Sequence, residues 1–482
     1  MAVSPATPTG GTPTGWPTYQ LPPAKQRRVP GWIVATAAVT AVLAVASFFT
    51  VLLWPSGDDD QAPAGPLTFQ RFGGSVARID FGQPARTTLT SVEGNNGYTA
   101  YESGGTLFTI AFDVTTGEER WRSQVTGSPQ WSRLIAVPGA LLVLALEDDE
   151  TEPRRMYVLD AETGQQRWTV DVRGDDVLFF LDGGLGLLDH QQRALRGFAL
   201  DTGVERWRHP FPHEEDSNAV AVLAYADMTR PSNFAGEPVA GVGDHRIVMV
   251  NGDQSVWLID GRTGEVLNQT AGIADPDDQV LAYDEQLFVA PNQVDFQLAS
   301  YDLAALSSQP QIRYQPTARD RFPLALEPCG ADRICVLEVD QFNDERAEVV
   351  ALSTAEGGGQ IWRADAPEAE RMIGVGDWVL TAASLGFEPV VRVFNGAGHL
   401  AIESPGLPIR LNEANFLVIT TAGGYEDYLS AFGMALANGE RFDLGQLPEG
   451  FVQEECSWNE RYLVCPNRTG TEVWQFAREA DQ

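Results

Sequence analysis

One lysine, Lys25, is the entire lysine complement of this 482-residue chain. Beyond position 25 there is therefore no lysine to form a Schiff base, to fill a P-loop or to act as a general base. Histidine is scarce too: His190, His209, His213, His245 and His399. Only His209 and His213 stand close enough to share a metal, and Pro210 and Pro212 mark that stretch as a polar surface loop. No Gly-x-Ser-x-Gly elbow and no Walker motif occurs. Basic side chains are outnumbered, 33 against 66 acidic, for a net charge of -33. A chain so acidic has no field with which to displace counterions from a phosphate backbone, which excludes nucleic acid as a partner. The acidic runs Glu214-Glu215-Asp216 and Asp275-Pro276-Asp277-Asp278 read as solvated turns.

Apolar side chains are nearly missing from residues 1–30, which are rich in Pro, Thr and Gly; this tail is expected to be disordered. From Trp32 to Trp54 no residue is charged. At 1.5 Å per residue such a run crosses a bilayer core of ~30 Å, so a transmembrane helix is expected within 31–54, followed by a linker over 55–66. Lys25, Arg27 and Arg28 all precede the run, which puts the N-terminus in the cytoplasm and the rest outside, on a single-pass plasma-membrane protein. Ala44-Val45-Ala46 resembles a signal-cleavage site, but the apolar run continues to Leu53. Thr7, Thr9, Thr12, Thr14 and Thr18 would lie in an extended cytoplasmic tail, open to a kinase and then to a phosphothreonine reader.

The four cysteines form two close pairs, Cys329 with Cys335 and Cys456 with Cys465. Each pair brackets a turn-like stretch, as on the two arms of a β-hairpin, and neither has the Cys-x-x-Cys spacing of a zinc knuckle. An even count in an exported domain predicts a disulfide across each hairpin.

A phrase recurs through the chain: an apolar strand, Asp, a turn ending in Gly, then Trp four residues on. It runs Asp113–Gly117–Trp121, Asp160–Gly164–Trp168 and, in a shorter form, Asp201–Gly203–Trp207. Asp260 and Gly264 repeat it with the Trp lost; Gly358 and Trp362 keep its second half. Tyr301-Asp302 marks a decayed copy, and Gly398 and Gly439 keep the turn. The Asp suits a turn whose backbone N–H groups it accepts, the Gly supplies positive φ, and a Trp at each unit offers apolar surface to its neighbour. A residue needed once per unit builds a fold rather than a catalytic centre. Short β runs between phrases give about four strands per unit of roughly 40–50 residues, which predicts a β-propeller.

The phrase Asp-x-x-Thr-Gly-x-x-x-Trp resembles the repeat of pyrroloquinoline-quinone-like propellers, the quinoprotein dehydrogenases and BamB-type assembly scaffolds. The resemblance spans about 67–482 and implies an all-β fold of eight four-stranded blades; the residues alone leave seven to nine open. A strand near Val76–Phe81 is expected to complete the last blade. Quinoprotein dehydrogenases of this family carry a vicinal disulfide, and no two cysteines here are adjacent. No catalytic residue, metal ligand or cofactor is therefore assigned. The expectation is an envelope scaffold that binds another protein without catalysis, with a ligand-binding or quinone-dependent funnel as the alternative. The insertion from His213 to Pro238 is expected to be the contact loop.

Overall fold

Strand after strand of this chain is a short apolar run closed by a turn, and in the computed structural model these runs pair in sequence order. The structure describes residue 65 and residues 67–480 apart from 129, 147–151, 182, 212–219, 233–244, 384–388, 423–427, 449–450 and 452–454. The expected tail and span, within 1–54, lie outside the described residues. Among the described residues no helix is long and apolar enough to cross a membrane. One compact unit, Ala62–Gln482, holds the fold.

Nine antiparallel four-stranded sheets make the blades of a β-propeller. Blades 1 to 8 occupy 88–126, 131–172, 177–210, 220–270, 279–314, 321–365, 371–405 and 407–446. In each, the first strand lies innermost and the fourth outermost. Blade 2 shows why the pattern folds: its second strand, Ala140–Ala145, is buried at every position, as a strand between two packed faces requires. Its outer strand, Gln166–Val172, is instead exposed or half-buried at every position but the last, Val172. Nine apolar clusters fill the nine blade-to-blade interfaces, which closes the ring.

The ninth blade corrects the count of eight implied by family resemblance. Its strands Ser457–Trp458, Tyr462–Pro466 and Gly470–Gln475 come from the C-terminal region. Its outer strand, Ala77–Asp80, comes from near the start of the fold, with Ala77 opposite Val473 and Asp80 opposite Gly470. Because those two strands come from opposite ends of the fold, no turn joins them, and the repeated phrase has no ninth copy to count. A second clamp lies beside it, where Leu67–Phe69 pairs with Ala477–Glu479. Phe69 packs against Gly433 of blade 8, where a Cβ would collide with its ring.

The phrase itself forms the turn between third and fourth strands. Asp113 Oδ1 accepts from Thr115 N at 2.9 Å, and Gly117 N donates to Asp113 O at 2.7 Å. With the Thr115 hydroxyl also donating, the Asp113 carboxyl is held at about 2. Gly117, Gly164, Gly203 and Gly264 all have φ near +70°, and the last three leave no room for a Cβ beneath an indole of the preceding blade.

Two residues differ from the expected phrase. In blade 3 it is Ala199 whose carbonyl accepts from Gly203 N, at 2.8 Å, so Ala199 holds the place of Asp113 and Asp160. Asp201 lies two residues further on and is exposed. In blade 6 the residue with positive φ is Gly357, at +70°, rather than Gly358.

Candidate functional site at the channel mouth

The innermost strands of the nine blades surround the ring axis. In blade 4 the inner strand Val220–Ala224 does not turn directly into its neighbour Arg246–Asn251. The intervening chain leaves the blade, and its described part, 225–232, hydrogen-bonds to blades 5, 8 and 9 through the contacts that follow. Blades 4 and 8 stand four steps apart in a nine-membered ring, so a segment joining them crosses the axis. It does so at the face where inner strands turn outward.

This strap is anchored at its start. Tyr225 N donates to Arg246 O at 3.2 Å and Ala226 N to Ala282 O, on the inner strand of blade 5, at 2.9 Å. The Arg246 guanidinium lies 4.3 Å over the Tyr225 ring, and Glu285 N donates to Tyr225 Oη at 2.9 Å. Asp227 Oδ1 then accepts from Thr229 N and Oγ1, which tightens a bend in the crossing.

The far end is held by Arg410, on the inner strand Leu407–Asn412 of blade 8. Its Nε donates to Arg230 O at 3.0 Å and its Nη2 to Asp227 O at 3.2 Å. These two groups form one edge of the guanidinium, the edge that binds a carboxylate in paired fashion. Here it binds two peptide carbonyls of the strap. Nη1 donates to Gly374 O of blade 7 at 3.1 Å. The Arg410 main chain closes the seat: Ser232 N donates to Arg410 O at 2.8 Å, and Arg410 N to Ser232 Oγ at 2.9 Å. Trp458 Nε1 of blade 9 donates to Ser232 O at 3.0 Å. Ser232 is 0% and Arg410 2% exposed, so this polar lock is fully enclosed.

Enclosure sets the electrostatics. Burial lowers the pKa of Arg410, against the nearby Glu327 and Asp227 carboxylates, which raise it. Burial pushes Glu327, on the inner strand of blade 6, up to about 7, opposed by Arg410. Glu327 is half-buried by its own surface yet surrounded by protein, and that surrounding desolvates it. Glu93, on the inner strand of blade 1, is likewise raised by burial and opposed by Arg230 of the strap.

Both cysteine pairs meet. Cys329 and Cys335 join across the first hairpin of blade 6 with Cα atoms 5.8 Å apart, and Cys456 and Cys465 across that of blade 9 at 4.3 Å. The repeated tryptophans lie at blade junctions. Trp121, Trp168 and Trp207 pack on Gly164, Gly203 and Gly264 of the next blade. Their Nε1 atoms donate to Ala161 O, Leu200 O and Gly261 O at 2.8–2.9 Å. Trp362 packs on Gly398 but makes no such bond.

Three donors that lie outside the phrase, or that replace its Trp, serve the corresponding carbonyls at later junctions. Asn268, at the place of the lost Trp, donates from Nδ2 to Leu303 O, the carbonyl after Asp302, at 3.0 Å. Gln286 Nε2 donates to Thr354 O at 3.0 Å, and Arg333 Nη1 to Gly396 O at 2.9 Å. Sequence reasoning missed all three, because an acceptor that is a main-chain carbonyl leaves no mark in residue type.

Asp175, Asp176 and His190 place potential cation ligands within 4.8 Å of one another. Their bonds are those of a loop staple. Asp176 accepts from the main-chain N–H groups of Arg173 at 2.7 Å and His190 at 2.9 Å, and the Arg173 guanidinium binds Asp175 at 2.8 Å. Asp176, 3.4 Å from His190 Nδ1, raises the pKa of the imidazole. His209 Nε2 lies 2.7 Å from Gly264 O, and His213 is outside the described residues, as are Glu214, Glu215 and Asp216. Asp278 accepts from Asp275 N and Asn292 N, so the second acidic run staples its own turn.

Residues 105–271 match the family model described as outer membrane protein assembly factor BamB, a stretch that runs from within blade 1 through blade 4. Among solved structures, BamB from Moraxella catarrhalis is similar over 85% of this chain and 99% of its own, at 14% identity and a TM-score of 0.41. A structure described as the eukaryotic initiation factor is similar over 85% and 98%, at 12% identity and a TM-score of 0.51. The computationally designed Ika8 protein is similar over 84% and 100%, at 11% identity and a TM-score of 0.42. No curated protein matches the chain. The chain is a β-propeller whose residues 105–271 carry BamB-like repeats.

Proposed function

We propose that the protein is a single-pass, membrane-anchored scaffold whose propeller stands outside the cytoplasm and binds another envelope protein, without catalysing a reaction. The observation that carries this reading is the strap: the channel mouth, where a propeller enzyme or receptor would admit a small molecule, is crossed by the protein's own chain, which Arg410 locks in place. The repeated polar and aromatic residues support it, since they are spent on turns and blade junctions. The two disulfides suit an oxidising compartment. The family model that matches residues 105–271 is described as an outer membrane protein assembly factor, which favours a protein partner in the envelope.

Crosslinking of the full chain in intact cells, followed by peptide mapping, tests the reading. Crosslinks from propeller residues to a defined envelope protein are expected. A bound chromophore on the purified full chain after incubation with quinone and calcium, with no protein crosslinked, would contradict it.

A further inference from the structure

The strap behaves as a ligand would. It is extended where it meets blade 8, it forms a β-bridge from Ser232 to Arg410, and its carbonyls occupy the paired edge of a buried guanidinium. We propose that the seat formed by Arg410, the inner strand of blade 8 and Trp458 is a binding site for an extended peptide segment, occupied in the resting molecule by the protein's own residues 225–232. The partner segment displaces the strap. This deepens the scaffold reading and rests on it.

Three features set the chemistry of the seat. First, its donors and acceptors address main chain: Arg410 N–H groups reach carbonyls of the incoming strand, Arg410 O accepts one N–H, and Trp458 Nε1 serves one further carbonyl. Main-chain recognition gives affinity with little demand on sequence, as in other strand additions. Second, the seat is selective at one position. Ser232 is wholly buried and its Oγ accepts from Arg410 N, so a small residue with an acceptor oxygen is required there. Third, the lining favours a cationic residue, since Arg230 of the strap lies in the field of Glu93 on the inner strand of blade 1. The ligand is therefore an extended segment with a basic residue two before a serine or threonine.

The strap can leave. Residues 225–231 are half-buried or exposed rather than core, and of them Tyr225 and Ala226 pack at the edge of apolar clusters. Residues 227–231 are held by polar bonds, and segments with few apolar contacts open at low free-energy cost; Ser232 is wholly buried, and the cost of releasing it is offset only when the incoming segment takes over its bonds to Arg410 and Trp458. The anchor at Tyr225 keeps the displaced strap tethered beside the seat, where it competes as an intramolecular ligand.

A labelled peptide of residues 224–232 is the probe, with fluorescence anisotropy on the full chain. Two variants unseat the strap: Ser232→Pro, which removes both the N–H and the Oγ of the bridge, and replacement of 225–244 by a short Gly-containing turn. Each folded variant should bind the peptide about tenfold or more tighter than the parent, and adding Arg410→Ala should abolish the gain. A folded, unstrapped variant that does not bind overturns the proposal. Should neither variant fold, the parent gives the reading: saturating peptide must speed hydrogen exchange at Ser232 N–H by about tenfold. Unchanged exchange overturns it. Crosslinks to a partner that map elsewhere on the propeller would leave the scaffold reading standing while the seat falls.

Discussion

The junctions of blades 1 to 4 and those of blades 4 to 7 do the same work with different residues. In the first group an indole packs on the next blade's turn glycine and donates to the carbonyl at the start of that turn. In the second, Asn268, Gln286 and Arg333 supply the donor, and Trp362 retains the packing without the bond. At each of these six junctions one turn carbonyl is satisfied from the preceding blade, because an unpaired main-chain acceptor is costly, while apolar contact can be redistributed. What is selected at a junction is therefore a donor in reach of one carbonyl, with Trp as the residue that adds packing to it.

Separating the two parts tests this comparison. The largest effect is expected for Trp207→Ala, which removes both a buried indole and its bond to Gly261 O; a loss of about 3–5 kcal/mol is expected in chemical denaturation. A loss below about 1 kcal/mol would show that the junction does not depend on its Trp. Gly264→Ala attacks the same junction from the other side. The residue has φ +73° and faces the Trp207 ring, so a cost on the order of 2 kcal/mol is expected, and an unchanged midpoint would mean the two blades do not touch there. Asn268→Ala should cost only about 1 kcal/mol, the worth of a bond without the packing, and Asn268→Leu should not restore it. Rescue by Leu would make the site apolar in character and sink the donor argument.

A pH dependence probes the channel mouth rather than the junctions. Burial raises the folded-state pKa of Glu327 to about 7 from an ordinary value of 4.5. A raised folded pKa favours the protonated form in the native state, so this contribution is fully present below about 4.5 and fades as pH rises through about 7. Thermal melts of Glu327→Gln should lack the component of stability that the parent loses between pH 5 and pH 8. Parallel profiles for the two proteins would show that Glu327 is solvated.

Much of the ring was legible in the sequence because each blade repeats its own turn chemistry. Asp113, Asp160 and Asp260 accept from their turns' main chain as the phrase suggests, and the closing strand at 77–80 lies within the stretch expected of it. The count of nine was not legible, since the last blade has no turn between its third and fourth strands. Asp201 misled for a related reason: it resembles the motif, yet hydrogen bonding assigns the position to Ala199. The channel mouth was the least legible part. The insertion from His213 to Pro238 stood out as a contact loop, but nothing in it told that its described stretch 225–232 runs inward across the axis. Its lock joins Arg410 to Asp227, Arg230 and Ser232 about 180 positions earlier, largely through main-chain atoms. Neither the separation nor the acceptors leave a pattern along the chain.

The strap across the axis is the claim on which both functional proposals depend, and hydrogen exchange of the full chain reads it directly. With the strap seated, Ser232 N–H and Arg410 N–H exchange slowly and together, and Arg410→Ala releases protection at Ser232 while the second strand of blade 2, Ala140–Ala145, keeps its own. Exchange of Ser232 at the rate of an open loop in the parent, with Arg410 still protected, would mean that the channel mouth is open and the account of this face is wrong.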